Sequence, residues 1–409
     1  SRATCGACHD RISFAPPPAP AGYTLHPGNP QPDDTKCPMC HTPAGTPIVS
    51  IVDAHMTAST QPNAPVIALA ISSVTNTRPN QTPVLHFTVT KNGQPLDILT
   101  TPLTSLAVTL AGPTTDYAQS QPLQYKIQGT PPTVGTLALD GAVGSYAYTF
   151  PAPMASSATG TWAVGMEGYT QAMVGLATFR YSSQNPVAYV PVTDSTAVPR
   201  RQVVDRNKCN SCHYDLNAHG GIRKSPEYCV LCHTPNKVGD QRVARFEVPT
   251  TVANSVNFKV LVHRLHRGNK LDQGYVLGGF PAPTPATPGG TPVDFGTVTF
   301  PGDLRACWAC HAGSTYRLPL SDGQIPTKMT QVLACNDSPL VPTSYCTNRV
   351  VQSETFLQPI SAACTACHDK PSTVAHAQLM TAPDGTESCE TCHGNGKQWD
   401  VQVVHTLDP

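Results

Sequence analysis

The stretch CNSCHYDLNAHGGIRKSPEYCVLCHTP, Cys209 to Pro235, holds the pattern C-x-x-C-H twice, with a further histidine, His219, between the two copies. Its first copy is Cys209, Cys212 and His213, and its second is Cys229, Cys232 and His233. Five more copies occur: Cys5, Cys8, His9; Cys37, Cys40, His41; Cys307, Cys310, His311; Cys364, Cys367, His368; and Cys389, Cys392, His393. Seven copies take up fourteen of the sixteen cysteines, so one chemistry accounts for nearly all of them.

Zinc is the first chemistry to weigh. Zinc ribbons join one CxxC to another around a tetrahedral ion, but here the number of motifs is odd and a histidine follows every CxxC. That combination is the pattern of covalent c-type haem attachment. Two thiols three positions apart reach the two vinyl groups of a porphyrin, and the adjacent imidazole is held beneath the iron as an axial ligand. The sequence therefore predicts seven covalently attached haems c.

The remaining histidines sharpen this reading. Eight of the fifteen lie outside the motifs: His26, His55, His86, His219, His263, His266, His376 and His405. His86 alternates with Val84 and Thr88 in an apparent strand, opposite Leu85, Phe87 and Val89, and reads as a partly exposed strand residue. The other seven match seven irons, which predicts two histidine ligands on each. In FKVLVHRLHRG, Phe258 to Gly268, a helix would put His263 and His266 three apart on one face, suited to two neighbouring haems rather than one iron. Haems with two histidines have no open metal position and suit outer-sphere electron transfer, with no catalytic residue required.

Composition limits the partners. Charged residues are 13% of the chain and formal net charge is zero. With no Lys/Arg block or basic-aromatic stripe, nucleic acid is not an expected partner. Seven haems would add on the order of 14 carboxylates and make the holoprotein acidic. No apolar run approaches the roughly 18 residues of a transmembrane helix, and no signal peptide stands at the start. Attachment of c-type haem implies an exported chain. Cys335 and Cys346, outside the motifs, are expected to form a disulfide in an oxidising compartment, with two free thiols as the alternative.

The motifs divide the chain into three parts. Residues 1–56 carry two haem motifs, 57–195 carry no cysteine, and 196–409 carry five motifs. The middle part has short Val, Thr, Tyr and Phe-rich segments (VLHFTVT, SLAVTLAG, TLALDG, GSYAYTF, GTWAVGMEG and GLATFRY) separated by turn residues, and Asn92-Gly93 has the composition of a tight hairpin turn. This predicts an antiparallel β-barrel or sandwich, acting as a spacer or docking module. The flanking parts, rich in Pro and Gly, are expected to be mainly α, in short helices and loops wrapped around haems that supply much of the buried apolar surface. A repeat links the two ends: CGACHD at Cys5, His26, CPMCH at Cys37 and His55 parallel CTACHD at Cys364, His376, CETCH at Cys389 and His405.

The order of a strand domain, VVDRNKCNSCH, YCVLCHTPN, VLVHRLHRG, GDLRACWACH and the closing CTACHD and CETCH pair resembles the second half of the OmcA/MtrC family of outer-membrane decahaem cytochromes. LTSLAVTLAGPTTDY and GTWAVGMEGY in the strand domain are similar too. The resemblance implies split β-barrels alternating with pentahaem domains, bis-histidine haems in a crossed wire, and display on the bacterial cell surface rather than in the periplasm. It implies that electrons pass to metal oxides, soluble shuttles or partner cytochromes, so that any reductase activity acts through exposed haem edges. The chain departs from the family in having seven motifs rather than ten and in lacking a close cysteine pair in its strand domain. Two rival readings are a subunit of a cytochrome filament, joined by haem stacking between copies, and a multihaem reductase with one open iron.

Overall fold

The computed structural model describes residues 2–6, 9, 11–42, 51, 64–118, 123–129, 135–174, 177–239, 250–279, 291–335 and 349–406. They fall into two compact units, Ser1–Pro65 and Val66–Pro409. In the first, the helices Arg2–Gly6 and Cys37–Cys40 accompany a short parallel pair, β1 (Ile12–Ser13) and β2 (Thr24–Leu25). Arg2 closes this unit on Asp34, its backbone N–H and Nε each donating to Oδ1 at 3.0 Å.

The second unit begins with two antiparallel sheets. One contains β3 (Ile67–Thr75), β4 (Val84–Lys91), β8 (Thr136–Leu139) and β9 (Ser145–Thr149) in the order β3-β4-β9-β8, with β5 (Gln94–Pro95) paired to β4. The other contains β6 (Ser105–Ala111), β7 (Leu123–Gln128), β10 (Thr161–Val174) and β11 (Ala177–Ser182) in the order β11-β10-β6-β7, with β12 (Val187–Pro191) also on β10. Left-handed φ values of 55° at Asn92 and 76° at Gly93 make the tight turn between β4 and β5. Leu85, Phe87 and Val89 on β4 and Tyr146 and Tyr148 on β9 meet Leu106, Val108, Leu110, Val164 and Met166 of the other sheet in a shared core. Neither sheet closes on itself among the described residues. The domain is an open sandwich, and the barrel alternative is not realised.

Strand β6 departs from simple alternation, with Leu106 to Ala111 all buried. Its Leu106, Val108 and Leu110 fill the sandwich core. On the opposite face Ala111, with Ala163 of β10, meets Tyr228 and Leu231 of the helix Pro226–Cys232, which contains a haem motif. Gly165 of β10 permits this approach, since a Cβ there would come within 2.7 Å of both Leu231 Cδ1 and Tyr228 Cδ2. Burying side chains such as these contributes about 1.5–3 kcal/mol each.

Polar contacts complete the joint. Thr109 and Tyr228 share a 3.0 Å hydrogen bond, and Arg223 donates to both oxygens of Glu167, Nε at 2.6 Å. Asp116, nearly inaccessible, receives Arg200 and Arg201, and its other oxygen accepts the Ile325 backbone N–H at 3.0 Å.

The remainder is less helical than its composition suggests. It holds short helices (Arg206–His213, Pro226–Cys232, Phe258–Arg267, Pro359–Cys364, Pro371–Leu379, Glu390–His393 and Val401–Val404). A three-stranded antiparallel sheet, unexpected from the mainly α reading, joins β13 (Thr250–Asn254), β16 (Thr327–Cys335) and β17 (Arg349–Leu357) in the order β13-β16-β17. A small hairpin, β14 (Val276–Leu277) with β15 (Val293–Asp294), lies between them in sequence. The sheet was hidden because Thr250–Asn254 and Thr327–Cys335 lie on either side of the Cys307 motif, and no short turn joins Cys335 to Arg349, so no local hairpin marks it. Cys346 and the side chain of Cys335 lie outside the described residues, and with them the expected disulfide. Among the described residues no helix is long and apolar enough to cross a membrane.

Candidate haem sites

Each described motif is a single turn of chain. The histidine N–H donates to the carbonyl of the first cysteine, as from His41 to Cys37 at 2.9 Å, His233 to Cys229 at 2.9 Å, His311 to Cys307 at 3.0 Å, His368 to Cys364 at 2.9 Å and His393 to Cys389 at 2.9 Å. His9 does the same to Cys5 at 2.8 Å, while Cys8 lies outside the described residues. In the first copy of the opening stretch, Cys209, Cys212 and His213 belong to the helix Arg206–His213, whose N-terminal cap Asp205 accepts the Asn207 N–H. A turn puts positions i, i+3 and i+4 on one side, so two thiols and an imidazole face the same space.

Opposite these imidazoles stand the histidines from outside the motifs. Ring centres are 6.1 Å apart for His26 and His41, 5.9 Å for His213 and His266, 6.0 Å for His219 and His233, and 6.1 Å for His263 and His311. They are 5.9 Å apart for His368 and His405 and 6.5 Å for His376 and His393. Two imidazoles on opposite sides of one metal, each nitrogen about 2 Å from it and each ring centre about 1 Å further back, have centres about 6 Å apart. The pairs have that spacing. His55 lies outside the described residues.

The hydrogen bonds at the far side of the rings also fit a metal ligand. Nδ1 meets a carbonyl from Val256 at His233 (2.7 Å), Val262 at His266 (2.8 Å), Val401 at His405 (2.7 Å) and Trp399 at His393 (3.1 Å). A carbonyl accepts only from a protonated Nδ1, which fixes the tautomer with a free Nε2 lone pair. Burial pushes His213, His233, His311 and His368 below the usual imidazole range, and His263 down to about 4. A lowered imidazole pKa favours the neutral form that a metal ligand needs. Among the described residues the histidines meet in twos, and no three metal-binding side chains gather at one point.

The helix Phe258–Arg267 ties the C-terminal motifs together. His263 and His266 on it face His311 and His213, members of two different motifs. At its start, the Phe258 N–H and Asn257 Nδ2 both donate to the His233 carbonyl, at 3.0 and 3.2 Å. Its Val260 packs on Ala362 and Ala366 at the Cys364 motif. Elsewhere, Lys208 Nζ donates to the carbonyls of His311 (2.6 Å) and Trp308 (2.8 Å), stitching the Cys209 motif to the Cys307 motif. The Glu387 carboxylate accepts from the backbone of Ile360 (2.8 Å) and Ser361 (2.6 Å), binding the Cys389 motif to the Cys364 motif. Neither Lys208 nor Glu387 stood out in the sequence, since one charged residue beside a motif carries no signal of its partner. His86 lies apart on β4, its Nδ1 2.8 Å from Asp140 Oδ2.

Residues 201–406, just over half of the chain, match the family model of the outer membrane cytochrome MtrC/MtrF-like proteins, domains II/IV. The chain belongs to the MtrC/MtrF-like outer membrane cytochromes. It is 29% identical over 135 residues to the multiheme cytochrome MtrC of Shewanella baltica (strain OS185), an alignment covering 32% of this chain and 14% of that protein. The crystal structure of MtrC from Shewanella baltica OS185 superposes with a TM-score of 0.51 at 16% identity, over 96% of this chain and 60% of that one. The structure of the outer membrane decaheme cytochrome OmcA gives 0.46 at 18% identity, over 81% and 46%. The MtrC likeness shows a shared fold. This MtrC/MtrF-like chain spans about 60% of the length of that MtrC structure.

Proposed function

We propose that this chain is an electron relay of seven bis-histidine haems c, passing respiratory electrons at the cell exterior to metal oxides, soluble shuttles or partner cytochromes. The observation that carries the reading is the spacing of the six histidine pairs, each joining one motif imidazole to one from outside the motifs. The seventh pair follows from the sequence repeat. At the C-terminal end the histidine between the motifs, His376, faces the second motif at His393, and the trailing His405 faces the first at His368. At the N-terminal end His26 faces His41 in the same manner. The trailing His55 is therefore assigned to His9.

The residues that would hold the haems are the fourteen motif cysteines, as thioether donors, and these fourteen histidines. Bound haem would supply a one-electron couple at each of these sites. The chain's own work is to keep the imidazoles neutral and oriented through their Nδ1 carbonyl bonds, and to hold successive motifs together through Lys208, Glu387 and the Phe258–Arg267 helix. Cell-surface location and these acceptors rest on kinship with the MtrC/MtrF-like proteins. Six closed pairs favour the relay over a reductase with an open iron.

The test is electron paramagnetic resonance of the fully oxidised protein together with the haem-to-protein ratio. Seven low-spin ferric haems are expected. A stoichiometric high-spin signal in the untreated protein would overturn the closed relay.

A further inference from the structure

The hydrogen bonds behind the paired imidazoles set one site apart. In five of the six pairs one ring gives its Nδ1 to a backbone carbonyl: His266 to Val262, His233 to Val256, His405 to Val401, His393 to Trp399, and His26 to Asn29 at 3.3 Å. The sixth pair, His263 with His311, has no such bond among the described residues. Nδ1 of His263 is buried and without a hydrogen-bond partner there. His266, three residues on in the same helix, takes the carbonyl four positions before it, so the helix allows a bond that His263 does not make.

His311 is met by a side chain instead. Its Nδ1 lies 3.2 Å from Thr315 Oγ1, and that hydroxyl donates to the Val203 carbonyl at 2.6 Å. The hydroxyl's one proton is thus committed, and toward the ring Oγ1 can only accept. Nδ1 of His311 is therefore the protonated nitrogen, and its Nε2 lone pair is left free for a metal. Giving its own proton to a carbonyl also makes Oγ1 a better acceptor. Backbone bonds fix Thr315 in this place. Its N–H closes a turn on the Ala312 carbonyl at 3.3 Å, the Ala312 N–H donates to the same Val203 carbonyl at 3.0 Å, and the Asp205 N–H donates to the Cys310 carbonyl at 3.2 Å.

We propose that Thr315 is a positioning residue for the haem held at Cys307 and Cys310, its hydroxyl fixing the His311 ring and lowering the reduction potential of that haem. An acceptor behind an imidazole makes the ring a stronger donor to the metal and so favours the ferric state. Among the described residues the hydroxyl acts alone at this site, since His263 has no acceptor of its own. At the other five pairs the acceptor is a backbone carbonyl, which no side-chain substitution removes. Here it is a side chain, so one residue of the sequence tunes this haem. The inference rests on the bis-histidine reading of His263 and His311.

The experiment is a spectroscopic redox titration of holoprotein, with haem stoichiometry and low-spin count measured on each sample. His263→Met exchanges the opposite axial ligand and should raise one potential clear of the others, marking this haem while His311 stays in place. If it moves no potential, the ligand reading itself fails, independently of Thr315. With the haem so marked, Thr315→Val is expected to raise its potential. Thr315 is exposed, so water takes over part of its bond, and the expected change is about threefold in the reduced-to-oxidised ratio. That is roughly 28 mV for one electron. Thr315→Ser, which keeps the hydroxyl, should restore the original value. Thr315→Asp puts a stronger acceptor behind the ring and should lower the potential instead. An unchanged or lowered potential in the Val variant, or a Ser variant shifted as far as Val, overturns the proposal. A rise in both the Val and the Asp variants would mark Thr315 as a structural staple only, and would overturn it as well.

Discussion

Replacing Tyr228 tests whether the sandwich and the haem segment are one mechanical body. The residue is fully buried among Ala111, Tyr117, Ala163 and Leu231, and its hydroxyl bonds Thr109 on β6. Tyr228→Phe removes only that hydrogen bond, while Thr109 still accepts from Gln124 Nε2 at 3.3 Å, so the expected cost is about 1 kcal/mol. Tyr228→Ala also empties the ring's place between the β10 strand at Gly165 and its own helix, for about 3–5 kcal/mol. A chain of several cooperative parts does not unfold in two states, so amide hydrogen exchange read by mass spectrometry is the suitable assay. At a factor of ten per 1.4 kcal/mol, exchange of the β6 and β10 amides should speed about fivefold in the Phe variant and roughly 100-fold or more in the Ala variant. Equal effects in the two variants would show that the hydroxyl, not the packing, holds the joint. No effect in either would refute the coupling of this haem-motif helix to the sandwich.

Other expectations follow from the same geometry. Gly165→Val places carbon where Leu231 and Tyr228 already stand, and should destabilise by about 1–3 kcal/mol, read as faster proteolysis of the joint at fixed temperature. Glu167→Ala leaves Arg223 buried without its partner and should cost about 3–5 kcal/mol, whereas Glu167→Ala with Arg223→Met should recover much of it, read by hydrogen exchange. His266→Ala opens the iron at His213 and should yield one high-spin ferric signal per molecule, leaving the His263 and His311 site low-spin. Glu354 on β17 is held below the usual carboxylate range, first by its hydrogen bond from Lys328 and then by that from Gln331. Its folded pKa lies under its unfolded one, so its small stabilisation is present above the unfolded value and lost as pH falls through the folded one. Glu354→Gln should flatten that acid-side loss in β16 and β17, seen in exchange corrected for the intrinsic rate.

Much of the strand domain was legible because its signals are local. The alternation in VLHFTVT put Leu85, Phe87 and Val89 inward, and they are 0–1% exposed. Asn92-Gly93 marked its turn because only a left-handed pair closes that hairpin. The choice between sandwich and barrel was not legible, since it depends on whether the end strands β3, β8, β7 and β11 find one another. The β13-β16-β17 sheet was missed for a related reason: Thr250 pairs with Ala334 and Cys335 with Arg349 across long intervening segments.

The sequence by itself determined the covalent chemistry, because two thiols and an imidazole within five residues are brought together by one turn of backbone whatever surrounds them. It also supplied, besides His86 of the strand domain, seven histidines outside the motifs, as many as there are motifs. Only the tertiary structure decided which histidine faces which motif: His266 reaches back to His213, while His263, three residues away, reaches forward to His311. It alone placed Lys208 and Glu387 beside motifs remote in sequence. A ligand pair or a counter-charge is a relation across space, set by how helices and sheets pack, and no periodicity along the chain encodes it.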